Sequence, residues 1–181
     1  EELSDPENNN RITRSAVYIG RDKAIVGDKA VDAAVTNRKN VIFEVKSEME
    51  NEVAWSAKEG AWIERKEKKD SKGYVPSQVS SLILSKLKDY TSGVKKVVVT
   101  VPAMFAEAAR TATLDAAKLA KLDVELINEP TAAVLHYSNL PSSSVNGRVL
   151  IFDLGGGTFD ITIANVKGKK VDVITSVGDK T

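Results

Sequence analysis

The sequence contains no cysteine, and its acidic and basic residues nearly cancel. Without cysteine, neither a disulfide framework nor a thiolate zinc site can form. The 26 Lys and Arg residues face 25 Asp and Glu residues, which leaves a formal net charge of +1. That balance gives the chain no overall electrostatic attraction to nucleic acid, so we expect no nucleic-acid partner.

Long hydrophobic runs are also missing. The longest ones, such as Val97–Val101 and Val149–Phe152, are far too short to cross a bilayer. The first ten residues are acidic and polar, without the charged-then-apolar pattern of a secretory signal. We therefore expect no membrane association and a cytoplasmic location. The 181 residues, 42% of them hydrophobic, are enough to fill the core of one domain or two small lobes.

The front half of the chain predicts short, irregular elements. Asp28 is expected to cap a helix that ends between Asn37 and Asn40. Ala61–Glu67 is predicted as one arm of a hairpin, with Asp70–Gly73 as its turn. Short strands are predicted over three stretches: Ser15–Ile19, Ala24–Val26 and Val41–Val45.

The back half is more regular and alternates helices with strands before it ends in a run of strands. This order predicts an α/β protein with a mixed sheet. Lys96–Val101 is nearly continuous in apolar residues, which is typical of a strand buried on both faces. Helices are predicted over Pro76–Tyr90, Phe105–Lys121 and Pro130–Tyr137. The other predicted strands are Val124–Ile127, Val149–Asp153, Thr158–Val166 and Lys170–Ser176.

Asp153-Leu-Gly-Gly-Gly-Thr-Phe-Asp160 is the strongest local signal of a binding site. Three glycines between two strands let successive backbone N–H groups turn inward around an anion such as phosphate. Thr158 and Asp160, two residues apart, are expected to face the contents of the loop. Two carboxylates beside a phosphate repel it unless a divalent cation lies between them, and Mg²⁺ accepts carboxylates through its waters. The alternative is a glycine hairpin turn whose aspartates merely tolerate the bend.

A second candidate is Asn128-Glu-Pro-Thr131, at a junction between a strand and a helix. Sheets of this class place ligands at such junctions. Asn128 is expected to cap the helix, and Glu129 is stabilised in its first turn by the helix dipole. From the residues alone, helix capping explains both side chains as well as ligand binding does.

Three segments resemble motifs of the 70-kilodalton heat-shock chaperones, and they occur along the chain in the same order as in that family. Asp153–Asp160 resembles the family's second phosphate motif, and Ile127–Ala133 resembles its connecting segment. Val99–Phe105, together with Arg110, resembles the strand and helix start that carry the family's proline–arginine relay. The resemblance spans nearly the whole chain and implies an actin-like ATPase lobe of the ribonuclease H-like α/β class. That lobe is a mixed sheet with flanking helices plus a small subdomain.

The resemblance also implies a site for ATP or ADP with Mg²⁺. Asp153, Asp160 and Glu129 would order the waters of the magnesium ion and the attacking water. Lys46, at the family's catalytic lysine position, would orient that water or stabilise the charge of the γ-phosphate. The residues that would hold the β- and γ-phosphates are Gly155, Gly156, Gly157 and Thr158.

Pro102 and Arg110 would relay the nucleotide state to a substrate domain in the complete chaperone. The implied function is ATP hydrolysis that drives the folding of client polypeptides, assisted by a J-domain co-chaperone and a nucleotide exchange factor. Residues 1–94 are expected to be mostly the small peripheral subdomain of the first lobe. Residues 95–181 are expected to be the core subdomain, so that the chain is a fragment of that lobe.

The sequence departs from the family pattern after Lys46, where Ser47–Glu50 replaces the usual Arg-Leu-Ile-Gly. The family's first phosphate motif, expected before Arg11, is absent. Two alternatives therefore stay open. One is a divergent chaperone relative that binds nucleotide without hydrolysing it and serves as a regulatory scaffold. The other is an actin-like filament protein.

Overall fold

A computed structural model describes residues 3–65, 73–140, 145–155 and 158–180. The chain divides into two compact units. The first contains Glu1–Val97 and Thr111–Asp123, and the second contains Val98–Arg110 and Val124–Thr181. Four helices and four small sheets are found in the described residues, so the predicted α/β class is confirmed. The domain boundary expected between residues 94 and 95 stays a prediction.

The first unit contains a three-stranded antiparallel sheet. Its central strand β1 (Ala16–Ile19) pairs with β2 (Ala24–Val26) on one side and with β3 (Val41–Phe43) on the other. Helix α1 (Asp28–Asn37) follows its N-cap residue Gly27, which has no side chain that could cap the first turn. Asp28 was expected to be that cap, but it is the first residue of the helix; its carboxylate accepts from Asn8 Nδ2 at 2.7 Å.

A hairpin and helix α2 (Pro76–Lys88) complete this unit's core. Strand β4 (Val53–Ser56) pairs antiparallel with β5 (Ala61–Glu64), and residues 57–60 connect the two strands. The turn predicted at Asp70–Gly73 is therefore not the one that joins this hairpin, and residues 70–72 lie outside the described part. One cluster of buried side chains joins sheet, hairpin and helix: Val17, Ile42, Val45, Trp55 and Val79.

Charged side chains attach the residues before β1 to α2. Lys86 Nζ lies 3.5 Å from Asp5 Oδ2 and 3.1 Å from Glu7 Oε2. The side chain of Asp5 is only 4% exposed. The Glu7 backbone N–H donates to Asp5 Oδ1 at 2.9 Å, and this bond is the main cause that lowers the pKa of Asp5. Hydrogen bonds from Lys86 and then Lys29 lower the pKa of Glu7. We call Asp5, Glu7 and Lys86 the Lys86 network.

Strand β6 (Lys96–Val101) pairs with β7 (Asp123–Asn128). Helix α3 (Glu107–Leu119) lies between them in the sequence, and α4 (Glu129–Ser138) follows β7 directly. Exposure alternates along β6, and Val98 is exposed. The prediction that this strand is buried on both faces is therefore wrong for the described chain.

The second unit is dominated by an antiparallel sheet of three long strands in the order β10-β9-β8. They are β8 (Gly147–Leu154), β9 (Thr158–Lys167) and β10 (Lys170–Lys180). On one face Thr162, Ala164 and Val166 are buried, whereas the opposite face exposes Leu150, Phe152, Leu154 and Val177. The strand that leads into the glycine segment is thus exposed on one face. The ladder between β9 and β10 shifts register between Val173 and Thr175, leaving Ile174 as the extra residue of a β-bulge.

Candidate functional site

Asp153 and Asp160 lie directly opposite each other on β8 and β9. Side chains of directly opposed residues share one face of the sheet and start from Cβ atoms about 4.5–5.5 Å apart. Asp160 is buried, with 5% of its surface exposed, whereas Asp153 is exposed. Like charges in this arrangement repel each other, so a cation or cationic ligand between them is favoured. We call these two residues the aspartate pair.

The other neighbour of Asp160 is Gly178, its partner on β10. One step along the same face, Thr162 Oγ1 and Ser176 Oγ share a hydrogen bond of 2.8 Å. This bond links the two side chains next to the Asp160–Gly178 pair and ties β9 to β10 there. Asp160 is consequently the central residue of a three-strand row that runs from Asp153 to Gly178.

The predicted phosphate loop joins the two strands of the aspartate pair. Gly155 follows β8 directly and is exposed. Gly156 and Gly157 lie outside the described residues, and Thr158 is the first residue of β9. The segment connects the two strands of an antiparallel hairpin. A phosphate loop and a plain glycine turn would both occupy this position, so the hairpin does not distinguish between them. The assignment of these four residues to phosphate binding stays a prediction.

Glu129 is the first residue of α4, at the end of β7. It is half-buried and begins the helix next to Asn128. Asn128 holds the cap position but does not cap the helix through its side chain. Its Oδ1 accepts a hydrogen bond of 2.7 Å from Arg110 Nη2. The prediction of side-chain capping by Asn128 is therefore wrong, and the residue instead connects Arg110 to the strand end before Glu129.

Pro102 and Arg110 are linked through the backbone of Phe105. The Phe105 N–H donates to the Pro102 carbonyl at 3.1 Å, and Arg110 Nε donates to the Phe105 carbonyl at 3.0 Å. Pro102 is fully buried. The two residues predicted to form a relay thus share one short turn, and Arg110 extends it to Asn128. A relay of the nucleotide state through this turn stays a prediction.

Lys46 belongs to the first unit, whereas the other predicted site residues belong to the second. The strand predicted to lead into it ends at Phe43, because Glu44 adopts a left-handed conformation with φ 54°. A short 3-10 helix over Val45–Glu48 follows. Buried Val45 anchors this helix in the core, and Lys46 itself is exposed.

In the described part of the chain, no group of three or more His, Cys, Asp or Glu side chains could hold a metal ion directly. None of the described helices is long and apolar enough to cross a membrane. Of the predicted site residues, the structure brings Asp153 and Asp160 together, and it joins Arg110 to Pro102 through Phe105.

Sequence reasoning missed two neighbours of Asp160, Gly178 and Met104. The only sequence signal for Gly178 is a glycine close to a strand of β-branched residues, which often marks a close approach by other atoms. The strand predicted there ended at Ser176, so this glycine was placed beyond it. Nothing in the sequence indicates that Met104, in the turn after β6, comes close to Asp160.

Comparison with known proteins finds similarity over nearly the whole chain. Residues 3–181 match the family model described as Hsp70 protein. The chain is 36% identical over 195 aligned residues to a ribosome-associated molecular chaperone of Nakaseomyces delphensis. A protein with the same description from Eremothecium gossypii is 35% identical over 195 residues. Each alignment covers 96% of this chain and 32% of the relative, so the chain spans about a third of the length of these curated relatives.

Proposed function

The chain belongs to the Hsp70 family, and we propose that it forms part of the nucleotide-binding domain of an ATP-dependent molecular chaperone. In this proposal the complete protein binds and hydrolyses ATP in the cytoplasm and uses the cycle to fold client polypeptides. A J-domain co-chaperone and a nucleotide exchange factor are its proposed partners. The family match over residues 3–181 and the chaperone descriptions of both relatives support this function.

The observation that carries the proposal is the aspartate pair at the base of a glycine hairpin. Asp153 and Asp160 face each other across β8 and β9, and Gly155 begins the connection between these strands. Two opposed carboxylates are the donor set that Mg²⁺ accepts through its own waters. Like charges directly opposite each other weaken a strand pair, and a cation bound between them would relieve that repulsion.

The individual roles are proposed as follows. Bound magnesium would neutralise the charge of the β- and γ-phosphates. Asp153 and Asp160 would hold and orient its waters, and Glu129, at the start of α4, would orient the attacking water. The residues proposed to donate hydrogen bonds to the phosphates are Gly155, Gly156, Gly157 and Thr158.

Lys46 is proposed to orient the attacking water or to stabilise the charge of the γ-phosphate. Pro102 and Arg110, joined through Phe105, are proposed to pass the nucleotide state to a substrate domain. We also propose that residues 1–94 are mostly the small peripheral subdomain of the lobe. Residues 95–181 would then be its core subdomain.

Replacing Asp160 by Asn in the full-length protein tests the proposal. The substitution removes one charge and keeps the shape of the side chain. We expect ATP turnover to fall by about a hundredfold, the typical loss for one group that stabilises or orders the transition state. The concentration of Mg²⁺ that gives half-maximal turnover should rise as well. Both quantities are measured by steady-state hydrolysis over a magnesium titration.

Asp172→Asn is the matched control, because it makes the same change on an exposed aspartate of β10. Asp172 pairs only with the nearby Lys170, at 3.1 Å, among the described contacts. We expect wild-type turnover and magnesium dependence from this control. Equal behaviour of Asp160→Asn and Asp172→Asn would contradict the assignment of the aspartate pair to a magnesium-nucleotide site.

One observation favours a second function, a nucleotide-binding scaffold that does not hydrolyse ATP. Lys46 is followed by Ser47–Glu50 and is itself exposed on a 3-10 helix that begins after the left-handed Glu44. This sequence differs from the pattern that normally follows the catalytic lysine. A scaffold would bind MgATP tightly and show no turnover above background in a single-turnover assay, whereas the chaperone ATPase would convert bound ATP to ADP.

A further inference from the structure

We infer that Gly178 is a positioning residue of the aspartate site, where its missing side chain leaves the space that the Asp160 carboxylate occupies. Gly178 pairs with Asp160 across β9 and β10, on the side away from Asp153. The inference rests on the proposed function, because it assigns Gly178 to the same magnesium-nucleotide site.

The distances around Gly178 leave no room for a methyl group. A Cβ at this position would lie 2.5 Å from Asp160 Oδ1 and 2.5 Å from Met104 Sδ. It would also lie 2.7 Å from the carbonyl oxygen of Phe159. Carbon and oxygen atoms that are not bonded stay more than about 3 Å apart. Any side chain at residue 178 must therefore displace at least one of these groups.

Backbone conformation does not explain this glycine. Three turn glycines have positive φ angles and no atom of the described residues within 4 Å of a Cβ. Gly178 has no positive φ and continues β10 in a conformation that any residue adopts. Its requirement is for space. The turn glycines are Gly93, Gly147 and Gly168.

Of the three atoms that crowd Gly178, the Asp160 carboxylate has the clearest functional consequence. The Met104 thioether ends a flexible side chain that can adopt another rotamer. The Asp160 side chain is short and buried beside the hydrogen bond between Thr162 and Ser176. A methyl at residue 178 would push the carboxylate along the row towards Asp153. Because displacement by about 1 Å near reacting groups can cost about a hundredfold in rate, the expected effect is on chemistry.

The test is Gly178→Ala in the full-length protein. We expect the Mg²⁺ concentration for half-maximal ATP turnover to rise about tenfold or more, with a fall in turnover at saturating magnesium. Melting temperature without nucleotide is measured on the same samples. Val177→Ala is the matched control, because Val177 is exposed on the opposite face of the same strand. This control should keep the wild-type magnesium dependence.

A double variant, Gly178→Ala with Met104→Ala, separates the two close contacts. It removes the Met104 thioether and leaves the new methyl against Asp160. We expect it to fold and to keep the raised magnesium requirement. If its magnesium requirement returns to wild type, or if it does not fold, Gly178 serves packing and the inference is wrong.

The Asp160→Asn variant distinguishes this inference from the proposed function. If Asp160→Asn changes turnover and magnesium dependence but Gly178→Ala changes neither, only the role of Gly178 is overturned. If Asp160→Asn itself leaves both unchanged, the magnesium-nucleotide site fails, and the role of Gly178 fails with it.

Discussion

The Lys86 network of the first unit and the aspartate pair of the second unit each bring acidic side chains together. In the network they face a lysine, whereas in the pair they face each other. Asp5 and Glu7 meet a lysine at 3.5 and 3.1 Å, so their charges are compensated within the protein. Asp153 and Asp160 meet each other. Compensated charge fixes the chain before β1 to α2 and serves the fold. Opposed like charge weakens a strand pair, and a cation bound between the two carboxylates would reduce the repulsion.

Lys46 provides the strongest test of this comparison. It is a charged residue of the first unit, yet we propose that it takes part in catalysis. Lys46→Ala should lower ATP turnover on the order of a hundredfold to a thousandfold while ATP still binds. The reason is the loss of one cation that stabilises the transition state. Turnover and ATP affinity are measured by single-turnover hydrolysis and by calorimetry.

Lys58→Ala provides the control for Lys46→Ala. Lys58 is an exposed lysine of the same unit, with its side chain 92% exposed, and we expect no change in turnover. If the turnover of Lys46→Ala stayed within a few-fold of wild type, the charged residues of the first unit would have a structural role only. That result would also favour the scaffold function over the ATPase.

A smaller effect is expected from acid, which acts on the Lys86 network. The pKa values of Asp5 and Glu7 are lowered from 3.8 and 4.5, so their stabilisation is present above those values. It is lost as the pH falls through the lowered pKa values, because the folded state must then take up protons that the unfolded state already holds. Melting temperature should therefore decrease below about pH 5, the upper edge of this window.

Two lysine variants identify which groups cause that acid dependence. Lys86→Met should lower the melting temperature at pH 7 and flatten part of its decrease in acid, because Asp5 loses its cation and Glu7 keeps only Lys29. Lys118→Met removes an exposed ion pair to Asp115 on α3 and should leave the curve unchanged. Parallel acid curves for wild type and Lys86→Met would contradict the role of the network.

The smallest effect is expected on stability, when the charge of Asp153 in the aspartate pair is removed. Asp153→Asn removes the repulsion of Asp160 and should raise the free energy of unfolding by about 0.5 kcal/mol in the absence of magnesium. With magnesium and nucleotide the gain should disappear or reverse, because the variant binds the cation less well. Denaturant unfolding with and without Mg²⁺ measures the difference. A loss of stability in both conditions would mean that Asp153 is compensated like Asp5.

Local patterns predicted most of the elements. Helix α2 begins at Pro76 as expected, because proline suits a first helical turn and the apolar spacing after it is regular. The three final strands also appear where alternation and glycine turns indicated them.

Long-range contacts account for what the sequence did not predict. Asn128 has the residue type of a helix cap, but the guanidinium of Arg110, eighteen residues earlier, takes its side chain. At Lys46, the left-handed Glu44 ended a strand that β-branched residues favoured. Gly178 was missed because the predicted strand ends at Ser176, whereas β10 continues to Lys180.

The β-bulge at Ile174 adds one residue to β10 and thereby determines which residue of that strand lies opposite Asp160. If the ladder ran on regularly from Lys170, Val177 would lie opposite Asp160 and Gly178 would turn to the exposed face. The extra residue shifts the numbering by one and restores glycine to that row. Deletion of Ile174 alone should therefore be tolerated by the site, whereas inserting one residue between Thr175 and Val177 would bring a valine against the carboxylate. The length of this strand is thus as much a part of the site as the identity of its residues.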